Sequence, residues 1–362
     1  MTPLAEWIKE QTFMRVGNRV TFKEFMEWAL YHPTLGYYRR AGTKVGKGGD
    51  FYTSAHVGSV FGKAVAEFLN NLAKAFEGEQ WAIVEFGSGD GKLADDILRY
   101  LREKPAVETL EGYYLVESSP YHQQLSDTRF KGDPLVRRVN RLDQAVTGHP
   151  LVVISNELID AMPVHRLQYV DGNWGELYVT WNEGKGTFEE VVGECSTPDL
   201  VRYVQEEHPP DRDGQTIEVN LEAYRWLKEL ASSLSKGFVL TIDYGYEKDE
   251  LWREERRRGT LMCYYRHRAV TNPYVRVGEQ DMTSHVNFSS LKRWGRTFGL
   301  TPLKFVSQRE FLVEAGILQS LRDHDNPDPF SETARRNRAI RQLIIPGGMG
   351  DTFKVLLQGK GI

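Results

Sequence analysis

The 362-residue chain exceeds one average domain and has room for a main domain carrying a substantial insertion. Its 46 basic and 50 acidic residues leave a net charge of −4, which excludes a nucleic-acid binder held by a phosphate-neutralising surface. Two cysteines, Cys195 and Cys263, stand alone without metal spacing, so neither a disulfide framework nor a metal site is expected. The N-terminus lacks a cationic start followed by an apolar run, and no stretch is apolar enough to span a bilayer. A cytoplasmic protein without membrane insertion is the expectation.

In chain order, residues 56–76 place Val57, Phe61, Ala64, Val65, Phe68, Leu72 and Phe76 on one side of a long helix. WAIVEF (81–86), YYLVE (113–117), LVVISNE (151–157) and GFVLTIDYG (237–245) are near-continuously apolar, as buried strands of a parallel sheet are. Between the first two, Leu93, Ile97, Leu98 and Leu101 fall at helical spacing, and Pro105 follows the stop. Such alternation predicts a doubly wound α/β sheet. Residues 163–195 break it, with turn signals at DGN and NEGKG that predict an antiparallel meander inserted after the fourth sheet strand. Residues 246–288 are rich in charge and tyrosine, and REERRR (253–258) reads as a solvated helix face. PLKFVSQ (302–308) and DTFKVLLQGKG (351–361) read as two more strands, the last closing the sheet.

The stretch EFGSGDG (85–91) lies between the first strand and its helix. Gly87, Gly89 and Gly91 let a ligand touch the backbone, Ser88 lies among them, and the helix N-terminus offers free N–H groups. A dinucleotide fingerprint fails at Lys92, where a last glycine would let helix and sheet pack closely. A pyrophosphate beside Glu85 and Asp90 would suffer repulsion of roughly a few kcal/mol. S-adenosylmethionine carries a sulfonium and an ammonium instead, together with a carboxylate that the helix N-terminus can accept. Glu117, 26 residues beyond Gly91, ends the next strand where an acid accepts ribose hydroxyls. The cofactor expected is therefore S-adenosyl-L-methionine, bound by Glu85, Gly87, Ser88, Gly89, Gly91 and Glu117.

Beyond these residues, FMEWALYHPTLGYY (25–38), GGDFYTSAHVGSVFG (48–62), SNELIDAMPVHR (155–166), LTIDYGY (240–246), GTLMCYYRHR (259–268) and GEQDMTSHVNF (278–288) span nearly the whole chain. In these motifs the sequence resembles the MidA-type S-adenosylmethionine-dependent methyltransferases, relatives of the mitochondrial arginine methyltransferase that assists complex I assembly. The resemblance implies a class I (Rossmann-like) methyltransferase fold with an N-terminal helical extension and an inserted β-rich substrate region. The expected division is 1–78 for the extension, 79–162 for the cofactor-binding half, 163–215 for the insertion and 216–362 for the rest of the core. Relatives often carry Pro-Glu where this chain has Ala55 and His56, so no role is carried over to residue 56.

A guanidinium acceptor is a poor nucleophile, and carboxylates gripping its other nitrogens would fix its plane. SNELID lies at the C-terminal edge of the sheet, so Glu157 and Asp160 are candidate catalytic residues, with Asn156 beside the cofactor; Asp160 reads equally as a cap of the next turn. His285 could take the acceptor's proton, with Asp281 four residues earlier to orient it. Asp50 and Thr53 are candidates to close over the cofactor on a hinge at Gly48 and Gly49. Glu218 and Asn220 read either as acceptor contacts or as edge-strand residues. Trp174, Tyr178 and Trp181 either form a partner surface or pack the meander. The expected activity is methyl transfer to a protein side chain, arginine foremost, with a respiratory-complex subunit as one such partner. A small-molecule acceptor and a cofactor-binding assembly factor without turnover are the alternatives, and a homodimer is the oligomer considered.

Overall fold

The computed structural model describes residues 1–40, 42, 44, 49–50, 53–145, 148–323, 328 and 330–362. Its contacts divide the chain into two units, one of residues 1–51, 159–226 and 246–291, the other of 52–158, 227–245 and 292–362. The chain therefore crosses between them five times.

The sheet of the second unit has strands β1 (Trp81–Phe86), β2 (Leu110–Val116), β3 (Val136–Val139), β4 (Leu151–Asn156), β5 (Gly237–Tyr246), β6 (Thr301–Ser307) and β7 (Phe353–Lys360), and the apolar runs supply β1, β2, β4 and β5. They run in the order β6-β7-β5-β4-β1-β2-β3. From β5 to β3 the strands are parallel, while β7 is antiparallel to both its neighbours. This doubly wound order places the chain reversal between β1 and β4, where sheets of this class bind ligands outside their carboxyl ends. Because Phe86 stands opposite both Val116 and Ser155, the ends of β1, β2 and β4 share one edge. Trp81, Ile83, Tyr113, Val152, Ile154 and Leu240 share a core with Phe61, Val65, Leu69, Leu93, Ile97 and Leu101 of the helices.

Three details differ from the sequence reading. The long helix is broken at Gly58, whose extended backbone (φ 171°) separates Ser54–Val57 from Ser59–Leu72. The last strand lies inside the sheet, leaving β6 at its edge. VRRV at the opposite edge is also a strand, and its two arginines are exposed.

In the first unit, Pro3–Phe13 and Phe22–Tyr31 are helices, the latter opened by a capping box between Thr21 and Glu24. The meander forms as expected, as His165–Val170, Asn173–Asn182 and Thr187–Gly193, and Arg19–Thr21 and Thr216–Val219 extend it into one sheet. Its aromatics pack within the unit. Trp181 joins the core of Ile8, Phe25, Val164 and Met282, Tyr178 donates to Glu194 O and Trp174 to Asp211. A three-stranded sheet holds Met262–Tyr265 between Arg268–Val270 and Asp281–Thr283. REERRR makes only a three-residue turn at Glu254–Arg256, with Arg256 set 4.1 Å over the Tyr246 ring. Among the described residues no helix is long and apolar enough to cross a membrane.

Candidate active site

The glycine turn follows β1 directly. Gly87, Gly89 and Gly91 all adopt positive φ, at 67°, 54° and 78°. A Cβ built at Gly89 would meet nothing within 4 Å, so that face of the turn is open, whereas one at Gly91 would press to 2.6 Å from Phe130. Glu117 is tied to the turn, its Oε2 accepting from Gly89 N–H at 2.8 Å and its Oε1 from Ser119 N–H at 2.6 Å. Each oxygen keeps a lone pair for a ribose hydroxyl. Ser88 Oγ is buried without a hydrogen-bond partner among the described residues, and so is Asn156 Oδ1 at the end of β4. Buried polar atoms left open are what a ligand satisfies. The amide oxygen suits the cofactor's ammonium, so these residues fit S-adenosylmethionine.

The two acids of the turn have separate surroundings. Glu85 is buried under the Tyr113 hydroxyl, which donates to its Oε2 at 2.6 Å. Burial pushes its carboxyl up, reinforced by Asp90 and Glu117 and opposed by Tyr113, to about 8. Asp90 faces the other way, toward Arg129 Nη2 at 2.9 Å and His56 Nε2 at 3.6 Å. Burial raises it too, but His56, Lys92 N–H and Arg129 prevail and hold it well below the usual carboxylate range. Asp90 is therefore charge-compensated, whereas Glu85 has no cationic side chain among the causes of its shift.

His56, to which the sequence reading gives no role, links the turn to the preceding loop. Thr53 Oγ1 lies 2.8 Å from its Nδ1. The next residue, Ser54, donates its N–H to Glu157 Oε1 at 2.7 Å, and its hydroxyl donates to Gln308 Oε1 at 3.0 Å. Asn156 Nδ2 adds a 3.2 Å bond to the same Glu157 oxygen. Glu157 sits at φ 53°, in the left-handed region, which costs a residue with a side chain about 1 kcal/mol or more. Thr53 thus reaches the glycine turn through His56, while Ser54 and Asn156 hold Glu157, and the two groups adjoin at the Thr53–Ser54 peptide.

Asp50, Asp160, Asp281 and His285 belong to the other unit. Asp50 Oδ2 accepts from Tyr37 at 2.8 Å and its Oδ1 from Arg266 N–H at 2.7 Å. Asp281 Oδ1 accepts from the Tyr38 hydroxyl at 2.8 Å, and Tyr38 stacks on Tyr31, which donates to Ala161 O. Burial pushes the Asp281 carboxyl up, Asp160 adds to this and Tyr38 opposes it, to about 7. Three acids and three tyrosines thus gather where the sequence shows only separate aspartates. The sequence reading pairs Asp281 with His285; in the structure Asp281 pairs with Tyr38. The His285 N–H donates to Thr260 Oγ1, its ring stands 5.4 Å from that of Tyr246, and burial together with Arg256 pushes its imidazole down to about 4. Glu218 accepts from Thr260 N–H and hydroxyl, and Asn220 Oδ1 accepts from Ala223 N–H at the start of the next helix. Of the expected hinge, Gly48 lies outside the described residues. Tyr38 and His56 carry a signal only in hindsight, as the polar ends of GYY and TSAH.

A doubly wound sheet, a glycine turn with an acid before it and an acid ending the next strand define the class I methyltransferase arrangement. The chain belongs to the family of S-adenosyl-L-methionine-dependent methyltransferases whose profile matches residues 60–306. It is similar to a Burkholderia thailandensis protein crystallised with S-adenosyl-homocysteine, at 29% identity and a TM-score of 0.86 over 99% of this chain and 92% of that one. It is also similar to the mitochondrial protein arginine methyltransferase NDUFAF7 of Danio rerio, 27% identical over 92% of this chain and 82% of the relative. The Drosophila melanogaster homologue is 28% identical over 94% and 81%. The protein is an S-adenosyl-L-methionine-dependent methyltransferase.

Proposed function

We propose that the methyl acceptor is an arginine side chain of a protein. The observation that carries this reading is Glu157, a carboxylate held in a strained conformation at the end of β4 beside Asn156. A fixed carboxylate can accept an N–H bond from a guanidinium beside those it takes from Ser54 and Asn156, orient the group and draw positive charge from the attacking nitrogen. S-adenosylmethionine supplies the methyl group when bound. Ser88, Gly89, Glu117 and Asn156 would hold it, with Glu85 facing its positive charge. Asp160 and Asp281 are proposed for acceptor handling, Asp50 and Thr53 for cofactor contact, and the insertion 163–215 as the substrate-binding region. His285 is neutral at physiological pH and can accept a proton, but a group at about 4 is a weak base. Support also comes from the relatives, which are named protein arginine methyltransferases. The cytoplasm is the proposed site of action, although those relatives are mitochondrial, and cell fractionation decides between the two. A homodimer is proposed for light scattering to test.

The test is incubation with radiolabelled S-adenosylmethionine and lysate from a strain lacking the protein, followed by hydrolysis of the labelled band. Methylarginine is expected. Glu157→Gln preserves an acceptor for Ser54 N–H while removing the charge, and should lower kcat by about a hundredfold or more. Label in an organic extract, or full activity in Glu157→Gln, would overturn the reading.

A further inference from the structure

Away from the glycine turn, the second unit contains a cleft of about 410 Å³ where the helices Ser59–Leu72, Lys92–Leu101 and Glu332–Ile344 converge. Five cations line it: Lys63, Arg99, Arg322, Arg335 and Arg336. One acid, Glu332, lines it as well, and it already bonds Arg336 at 2.7 Å. The lining thus carries a surplus of four positive charges in a chain whose net charge is −4. Arg99 has an outside partner in Asp95, and Arg335 donates its Nε to Phe330 O. Among the described residues Lys63 and Arg322 make no ion pair with a carboxylate, and Lys63 instead lies 5.5 Å from the Tyr100 ring.

Gathering unpaired cations costs self-repulsion, which an anion relieves. Arg99 and Arg336 have carboxylate partners, which leaves Lys63, Arg322 and Arg335 as the lining cations without an ion pair among the described residues. Guanidinium forks match phosphate oxygens bidentately, and Tyr100 offers a ring face beside the cations. The volume exceeds what a bare phosphate fills and falls in the range of ligand pockets, about 300–1,000 Å³. Arg99 lies eight residues along its helix from Gly91, about 12 Å, so the cleft is separate from the cofactor turn.

We propose that this cleft binds a phosphate-bearing small molecule of nucleotide size, in addition to the methyl donor. No part of the proposed function uses the five cations, so the two proposals stand or fall separately.

The test is calorimetric titration of pyrophosphate and of ATP into the full chain saturated with S-adenosylhomocysteine. Saturable binding of both is expected, weakening as salt rises. Lys63→Glu and Arg335→Glu should each weaken pyrophosphate binding by about tenfold or more while leaving S-adenosylhomocysteine affinity unchanged. Should a charge reversal fail to fold, Lys63→Gln and Arg335→Gln take its place, with a severalfold loss expected. Absence of saturable pyrophosphate binding at millimolar concentration, or binding that all these variants retain, would overturn the proposal. So would displacement of the phosphates by a hexaglutamate peptide, which would identify an acidic protein segment as the occupant.

Discussion

Burial of Glu85 sets its carboxyl near 8 although Tyr113 donates to it, so near neutrality the group holds a proton that an incoming cation must displace. With the cofactor's positive charge against Glu85, as proposed, binding of S-adenosylmethionine would be coupled to proton release. Its affinity is expected to rise by about fiftyfold between pH 6 and pH 8, and Glu85→Gln should flatten that dependence in calorimetric titrations. Stability has the opposite sign. Because the folded value lies above the ordinary carboxyl value of about 4.5, the group's contribution is fully present below about 4.5 and is lost as pH rises through about 8. Glu85→Gln should therefore raise the melting temperature at pH 8.5 and leave it nearly unchanged at pH 4. Asp281, near 7, predicts a rising limb of activity around that pH if its charged form handles the acceptor. That limb should vanish in Asp281→Asn and survive in His285→Gln, as steady-state rates against pH would reveal.

At the level of elements, close approach and turn chemistry carry the cost. Gly62 lets the helices Ser59–Leu72 and Lys92–Leu101 meet, since a Cβ there would stand 2.4 Å from Asp96 Cβ. Gly62→Val should destabilise by about 2–3 kcal/mol in urea unfolding. The hairpin at Tyr265 and Arg268 turns on Arg266 and His267, both at positive φ (49° and 60°), a conformation that suits Asn-Gly. Asp50 bonds the first of these N–H groups and its carbonyl accepts from the second. Replacing Arg266-His267 by Asn-Gly should stabilise by about 1 kcal/mol in the same assay. Much of this scale is legible in sequence. The strands of β1, β2, β4 and β5 show because they are buried on both faces and so apolar throughout. VRRV does not show because an edge strand exposes its arginines. The break at Gly58 stays hidden because the apolar spacing runs on through it. Glu85, the glycines and Glu117 are legible because one turn and the next strand end hold them. Tyr38 with Asp281, 243 residues apart, and Asp50 with Arg266, 216 apart, are not, since no local rule links such distant residues.

On the scale of the whole chain, the two units have separate cores, one around Phe61, Ile83 and Ile154, the other around Ile8, Phe25 and Val164. The cofactor's proposed ligands Glu85, Ser88, Glu117 and Asn156 all lie in the first of these. S-adenosylhomocysteine at a hundred times its Kd should slow hydrogen exchange of β1 and β4 amides by the equivalent of about 2.7 kcal/mol. Unchanged exchange there would contradict the assignment.

The fivefold crossing of the chain also bears on its birth at the ribosome. Residues 1–51 emerge before the other segments of their unit, yet Leu4, Ile8 and Phe25 pack in a core completed by Val164, Val179, Cys263 and Met282. At about 5–20 residues per second, those greasy side chains wait on the order of ten seconds or more for their neighbours to be translated. A nascent chain stalled before residue 159 should therefore recruit holdase chaperones through its first two helices, and release them once synthesis passes residue 291.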